Sequence, residues 1–251
     1  MLTHNDVRSA RSRSTAIAVL GAAVVSLLVG CVTRTPAPGP GPTPQAPVAT
    51  AGADADTIPA GAQLFDIDPQ RSVVSIRVYR SGPMAKLGHN HVITSAEESG
   101  FAWRGPKPAD SGFQLRIPVT TLVVDDPAAR AAAGPDFEGP VPESAREGTT
   151  KNLLRPEVLD ASQFPDVTVR AGWLGGTWQD PVAQADVTLK GVTRRVEVPL
   201  DLTDSAGTLT ARGTFRLRQT EFGMVPFSVG GGAIQVADEI VLAFEIVATA
   251  R

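Results

Sequence analysis

Residues 209–217 read Leu209-Thr210-Ala211-Arg212-Gly213-Thr214-Phe215-Arg216-Leu217, so that apolar or small residues alternate with polar ones. Successive side chains of a β-strand point to opposite faces, and this period of two therefore predicts a strand with one apolar and one polar face. Five more segments repeat the pattern: 74–79, 113–117, 167–171, 196–202 and 239–246. Together they predict an antiparallel sheet wrapped around one interior.

One segment departs from this alternation. Residues 143–159 carry Leu153, Leu154 and Val158 among charged residues, which predicts short helical turns, and Pro156 excludes a single long helix. The fold class is therefore all-β: an antiparallel β-barrel of about eight strands with a short helical insertion. The pattern alone leaves three interiors open, namely a barrel filled by side chains, a barrel holding one small ligand, and a packed β-sandwich without a cavity.

The N-terminus carries an export signal. Three arginines lie within residues 8–13, an uncharged apolar run extends from Ala16 to Val29, and Gly30 precedes Cys31, the only cysteine. This arrangement is typical of a signal peptide and resembles that of bacterial lipoproteins, in which the cysteine is lipidated and becomes the mature N-terminus. The alternative is an uncleaved transmembrane anchor over residues 14–33.

Three regions follow from this interpretation. Residues 1–30 are the signal peptide, residues 31–63 are the lipidated cysteine and a linker rich in Pro, Ala and Gly, and residues 64–251 are the folded domain. We expect an exported protein that is anchored in the cell envelope and faces the periplasm.

The charge balance restricts the partners. Beyond Cys31 the chain has 20 Lys and Arg against 25 Asp and Glu. A mildly acidic chain argues against nucleic acid, which needs a basic face, and against polybasic membrane binding. Membrane attachment is therefore expected through the N-terminal lipid, and the protein partner is unknown.

Two histidines form the sharpest local feature of the domain. His89 and His91 lie two residues apart, so that on a strand both imidazoles would share one face. They predict either a metal site, a polar contact to a ligand headgroup, or a structural role. A metal site needs further ligands, and the spacing of the candidate carboxylates selects none of them. For Asp125 and Asp126, the loose spacing and the intervening alanines favour a solvated loop. The candidate carboxylates are Glu97, Glu98, Asp125 and Asp126.

Four segments of the domain carry a resemblance to the YceI-like family, the lipocalin-like polyisoprenoid-binding domains of bacteria. They occur in the family's order and together span residues 64–248. The segments are 65–76 with its Asp68-Pro69 turn, 152–169, the hairpin Leu189-Lys190-Gly191-Val192-Thr193-Arg194 with 196–200, and 221–224 followed by 236–242.

The resemblance implies a lipocalin-like barrel with an elongated apolar lumen that holds an isoprenoid lipid or an isoprenoid quinone, for storage or transfer. No catalytic motif is found, so we expect a binding protein without a cofactor rather than an enzyme. One alternative is a metal-binding or redox-associated periplasmic protein that uses His89 and His91. Another is an adaptor whose barrel is filled by side chains and whose surface binds a protein partner. The residues expected to contact the ligand are Val74, Ile76, Val78, His89, His91, Phe101, Trp103, Phe113, Leu115, Val169, Phe215 and Phe244.

Overall fold

The structure is a computed structural model that describes residues 58–95 and 97–251. These residues all belong to one compact unit, Ala49–Arg251, which has its own sheet and its own core. We therefore treat this unit as a domain that folds independently. The predictions for the signal peptide, Cys31 and most of the linker fall outside the described residues.

The domain is almost entirely β-structure, which confirms the predicted all-β class. Fourteen strands belong to one antiparallel sheet, and two α-helices are inserted between β6 and β7. The strands are β1 Gln63–Ile67, β2 Val73–Ser81, β3 His91–Ser95, β4 Ser99–Arg104, β5 Gly112–Pro118, β6 Val123–Val124, β7 Asp166–Ala171, β8 Leu174–Gly176, β9 Pro181–Leu189, β10 Val192–Pro199, β11 Asp201–Ser205, β12 Thr208–Arg218, β13 Ser228–Val229 and β14 Ile234–Ala250. The helices are α1 Pro127–Ala133 and α2 Glu143–Leu153.

The 17-residue strand β14 organises the sheet. One of its edges pairs with β12 along 11 residues. Its other edge pairs first with β2 and then with β1, and from β1 the sheet continues through β4, β5, β7 and β9 to β10. The sheet curls so that β10 reaches β12: a Cβ atom placed on Gly213 would lie 2.9 Å from the carbonyl oxygen of Pro199.

Two tight hairpins fix the register of neighbouring strands. Lys190-Gly191 joins β9 to β10, and Ala206-Gly207 joins β11 to β12; all four residues have positive φ, between 49° and 77°. Such two-residue turns match the right-handed twist of the strands that they connect. Glycine at the second position accommodates the left-handed backbone without strain.

Three details differ from the sequence prediction. The predicted strand 196–202 is divided between β10, which pairs with β9, and β11, which pairs with β12. The helical insertion is longer than predicted, because α2 continues for 11 residues before it ends near Pro156. The helix α1 was not predicted at all, although Asp126 caps it and Pro127 occupies its first turn.

The core lies inside the curled sheet. Apolar side chains from the inner faces of the strands meet there, and the loops after α2 add Leu159. Four side chains are among the most buried: Phe65, Trp103, Phe137 and Phe222. The outer faces are polar and carry ion pairs such as Arg212 with Glu245.

Candidate functional site: an apolar cavity inside the sheet

An apolar cavity of about 220 Å³ lies inside the sheet. Thirty-nine residues from most of the strands line it. Apart from the two tryptophans, only four of them have a charged or hydrogen-bonding side chain. Those four are Ser95, Arg104, Ser111 and Gln219. An interior surface of this composition offers dispersion and hydrophobic contacts and very few hydrogen bonds.

The cavity extends along much of β14. Five alternate residues of β14, from Ile240 to Ala248, line it. At about 3.3 Å per residue, eight residue intervals extend over about 26 Å along the strand. A small volume distributed over this length fits a chain-shaped ligand better than a compact one.

The structure brings most of the predicted ligand contacts to this cavity. Nine of the twelve line it, while His89, His91 and Phe101 are not part of its wall. The nine are Val74, Ile76, Val78, Trp103, Phe113, Leu115, Val169, Phe215 and Phe244. All nine lie on strands, and eight of them belong to the alternating segments of the sequence, the exception being Trp103.

Phe101 instead packs on the outside of the sheet. The guanidinium carbon of Arg251 lies 5.6 Å from the centre of its ring, and Arg251 also pairs with Asp66. Asp66 is the cross-strand neighbour of Phe101 in the pairing of β1 with β4, so their side chains share the outer face. Phe101 is therefore not part of the cavity wall.

His91 belongs to a buried ionic cluster. Its Nδ1 atom lies 2.6 Å from Oδ2 of Asp125, and Nη1 of Arg130 donates to Oδ1 of the same carboxylate at 2.6 Å. The backbone N–H of Val92 donates to Oδ1 at 2.9 Å, and Nη1 of Arg130 also donates to the carbonyl oxygen of Asn90. The Asp125 side chain has no solvent exposure and that of Arg130 has 9%.

The electrostatics of Asp125 follow from these contacts. Its burial acts to raise the pKa of the carboxyl, but the hydrogen bonds from His91, from the Val92 N–H and from Arg130 outweigh burial and hold the pKa below its ordinary value. The ionised carboxylate accepts from Nδ1 of His91, which fixes the imidazole against the segment that precedes α1. The cluster joins β3 to the segment that precedes α1.

Two expectations for this region are therefore corrected. Asp125 does not lie in a solvated loop, and His89 does not share a strand with His91, because β3 begins at His91 and His89 is exposed before it. The two imidazole rings are 6.3 Å apart, and Nδ1 of His91 is engaged by Asp125. Within residues 58–95 and 97–251, no three His, Cys, Asp or Glu side chains are grouped so that they could hold a metal ion.

The polar groups of the cavity wall include donors without a partner. Nε1 of Trp103, Oγ of Ser95 and Nε of Arg104 are buried and form no hydrogen bond within the described residues. The guanidinium of Arg104 stacks over the ring of Trp178, with its carbon 4.6 Å from the ring centre, and lies 3.3 Å from a carboxylate oxygen of Asp204. Trp103, Arg104 and Trp178 thus form a polar and aromatic group in the cavity wall, of which the prediction included only Trp103.

Sequence comparison assigns the domain. A YceI-like domain matches residues 65–248, nearly the whole of the described fold. The chain belongs to the YceI-like family. This confirms the resemblance seen in the four sequence segments, including the hairpin at Lys190-Gly191, whose turn the structure shows.

Solved structures place this YceI-like domain among related folds. Burkholderia cenocepacia BcnA is 18% identical, with a TM-score of 0.52, and the alignment covers 73% of this chain and all of BcnA. A polyisoprenoid-binding domain from Saccharophagus degradans, described as implicated in plant cell wall breakdown, is 11% identical with a TM-score of 0.47, and 74% of this chain and 98% of that domain are covered. A Campylobacter jejuni YceI protein is 11% identical with a TM-score of 0.43, covering 63% and 84% of the two chains. A comparison with curated protein sequences finds no match.

Proposed function

We propose that this YceI-like domain binds an isoprenoid lipid or an isoprenoid quinone in its interior, for storage or transfer within the cell envelope. The observation that carries the proposal is the apolar cavity, which follows β14 for about 26 Å. Of its 39 lining residues, 33 have no charged or hydrogen-bonding side chain, and two more are tryptophans. An isoprenoid tail has no polar atom, so it needs a shaped apolar channel and little else.

The composition of the wall selects against other ligand classes. A sugar, a nucleotide or a peptide would leave hydroxyl, phosphate or amide groups without partners along most of the channel, which carries a penalty of about 1–3 kcal/mol for each group. A hydrocarbon chain has no such groups. The polyisoprenoid class itself is implied by the family to which the chain belongs.

The group of Trp103, Arg104 and Trp178 is the proposed contact for a polar headgroup. Nε1 of Trp103 and Nε of Arg104 are buried donors that find no partner among the described residues, and a quinone carbonyl or a terminal oxygen could accept from them. In this orientation the tail extends away from Arg104 along the apolar wall. A tail of many isoprene units also requires side chains such as Phe215 and Phe244 to rotate, since 220 Å³ lies below the usual range of about 300–1,000 Å³ for ligand sites.

The cellular context of the proposal comes from the N-terminal sequence. An export signal that ends immediately before Cys31, followed by a linker rich in proline, fits a lipoprotein held at the envelope membrane. In the described part of the domain, no helix is long and apolar enough to cross a membrane. A tethered carrier in this position would have its lipid ligands close by.

The test is direct detection of the ligand. The domain Ala49–Arg251, produced in a bacterium with isoprenoid quinones, is extracted with organic solvent, and the extract is analysed by mass spectrometry. We expect an isoprenoid compound at a substantial fraction of an equivalent, and displacement of it by added geranylgeraniol or ubiquinone-2. Empty preparations that also fail to bind either compound would contradict the proposal.

A further inference from the structure

Exposed apolar side chains are concentrated in two loops at one end of the sheet. Eight large apolar side chains are exposed in the described part of the chain, and five of them lie within residues 84–87 and 225–229. We call these five the apolar rim: Met84 (48% exposed), Leu87 (66%), Val225 (61%), Phe227 (36%) and Val229 (44%). Clustering of this kind marks an interaction surface, whereas single exposed apolar residues do not.

The two loops of the apolar rim meet on the first residues of β14. The backbone N–H of Met84 donates to the carbonyl oxygen of Ala233, and β13 pairs Val229 with Ile234. In addition, the N–H of Val236 donates to the carbonyl oxygen of Phe227 at 2.9 Å. The five side chains therefore belong to one surface that is held together by backbone hydrogen bonds.

The surface around the apolar rim is cationic in a chain with a formal net charge of −3. Neither residues 80–96 nor residues 222–237 contain an aspartate or a glutamate. Arg80 lies near the end of β2, and Lys86 lies in the first loop. Nζ of Lys190 donates to the carbonyl oxygen of Gly223 beside the second loop. The bordering carboxylate of Glu157 is paired with Arg155 at 3.2 Å.

The apolar rim is continuous with the wall of the cavity. Val78 lines the cavity three residues before the end of β2, which leads into the first loop. Met224 lines it immediately before Val225, the first residue of the second loop in the rim. The backbone N–H of Val225 donates to the carbonyl oxygen of Glu157, next to Val158, which also lines the cavity.

Apolar side chains bordered by cations, in two loop segments that contain no aspartate or glutamate, match the interface of an anionic bilayer. The apolar groups reach the acyl boundary, while lysine and arginine contact the headgroups. We propose that the apolar rim docks the domain on the surface of an anionic lipid bilayer, with the adjoining end of the cavity directed at the membrane. This docking surface would serve the proposed lipid-binding function, and the inference rests on that function. It adds a membrane contact in the folded domain to the contact expected from the N-terminal lipid.

The experiment measures partition of the domain Ala49–Arg251 onto vesicles by flotation. One set of vesicles contains phosphatidylglycerol and phosphatidylcholine, and the other contains phosphatidylcholine alone. The rim variant combines Leu87→Ser with Val225→Ser. The matched control combines Val73→Ser with Val123→Ser, which removes two other exposed valines outside the rim, 41% and 50% exposed.

We expect binding to the anionic vesicles that the rim variant lowers by about tenfold or more and that the control leaves unchanged. Lys86→Gln should lower binding to the anionic vesicles by about fivefold and have little effect on the neutral ones. Equal binding by the rim variant and the control, or no vesicle binding by the unaltered domain, would overturn the proposal. In the latter case, saturable capture of a partner protein that the rim variant loses would assign the surface to a protein.

A second measurement separates this inference from the function on which it rests. The rim variant should bind ubiquinone-2 as tightly as the unaltered domain, but should transfer it to anionic vesicles at least several-fold more slowly. Vesicle binding without any ubiquinone-2 binding would contradict the lipid-carrier function and leave the docking surface intact. Ligand binding with equal transfer rates for the rim variant and the control would contradict the docking surface alone.

Discussion

Nδ1 of His91 lies 2.6 Å from Oδ2 of Asp125, a carboxylate with no solvent exposure that also accepts a hydrogen bond from Arg130. The contact spans 34 residues of sequence and ties β3 to the segment before α1. The two histidines for which the sequence suggested a metal site are therefore placed differently. His91 takes part in a buried ionic contact, whereas His89 is exposed to solvent.

Asp125→Asn should destabilise the domain by about 3 kcal/mol, because it leaves the buried Arg130 guanidinium without its counter-charge. Asparagine is the appropriate replacement, since Asp125 has a φ of 54° and asparagine tolerates this conformation. Urea unfolding followed by circular dichroism measures the change. Asp66→Asn, at an exposed ion pair with Arg251, is the control and should show no measurable change.

The stability contributed by Asp125 should depend on pH in the acidic range. Its pKa is lowered in the folded state, so as pH falls the unfolded chain takes up this proton first, and the contribution is lost from about pH 4 down through the lowered pKa. The difference in unfolding free energy between the unaltered domain and Asp125→Asn should therefore shrink as the pH falls below about 4. A difference that stays the same down to pH 2 would contradict this assignment.

Filling the cavity should weaken ligand binding without unfolding the domain. Ala185 is 1% exposed and lines the cavity, so Ala185→Phe places a ring in the channel. We expect at least tenfold weaker binding of ubiquinone-2, with a loss of about 1–3 kcal/mol in stability from overpacking. Ala211→Leu is a smaller change in the same wall and should weaken binding less.

Thr203→Phe is the control for this series, since Thr203 lies exposed on β11. It adds the same ring outside the cavity and should leave binding unchanged. Isothermal titration supplies the affinities, and thermal unfolding verifies that each variant is folded. Undiminished binding by a folded Ala185→Phe would place the ligand elsewhere.

Gly213→Ala should destabilise the domain by about 1–3 kcal/mol. The added methyl group would lie 2.6 Å from the Phe244 ring and 2.9 Å from the carbonyl oxygen of Pro199, where β10 approaches β12. Gly148→Ala is the matched control within α2, where a Cβ atom meets nothing within 4 Å. It should stabilise the domain by about 0.5–1 kcal/mol through helix propensity, and both changes are measured by chemical unfolding.

Cys31→Ser in the full chain should prevent lipidation and release the protein from the envelope membrane, while the domain remains folded. The reason is that Cys31 precedes the linker and lies outside the compact unit Ala49–Arg251. Labelling with radioactive palmitate and membrane fractionation measure the two effects. A variant that keeps its full uncleaved mass and still sediments with membranes would show that residues 14–33 act as a transmembrane anchor.

The periodicity of the sequence predicted the strands and most of the cavity wall, because a strand of this sheet has one buried face and one polar face. It failed where a contact depends on distant residues. The alternation runs through 196–202 without a break, so the change of partner at Leu200 carries no local signal.

The ionic cluster was missed for a similar reason. His91 and Arg130 approach Asp125 from different elements, and the sequence alone does not bring them together. The helix α1 could have been found, since Asp126-Pro127 is a common helix start. Its alanine-rich sequence without an apolar periodicity concealed it.

The position of β14 has a consequence for how the chain folds. This last strand pairs with β1 and β2 near the beginning of the domain, and Oγ of Ser72 accepts from the N–H of Val247, 175 residues away. The sheet can therefore be completed only after the C-terminal residues have been synthesised. Such non-local pairing gives a high contact order and folding times of about milliseconds to seconds. A nascent chain would thus stay free of its final structure until late, which would suit the export that we propose, because an export channel takes unfolded chains.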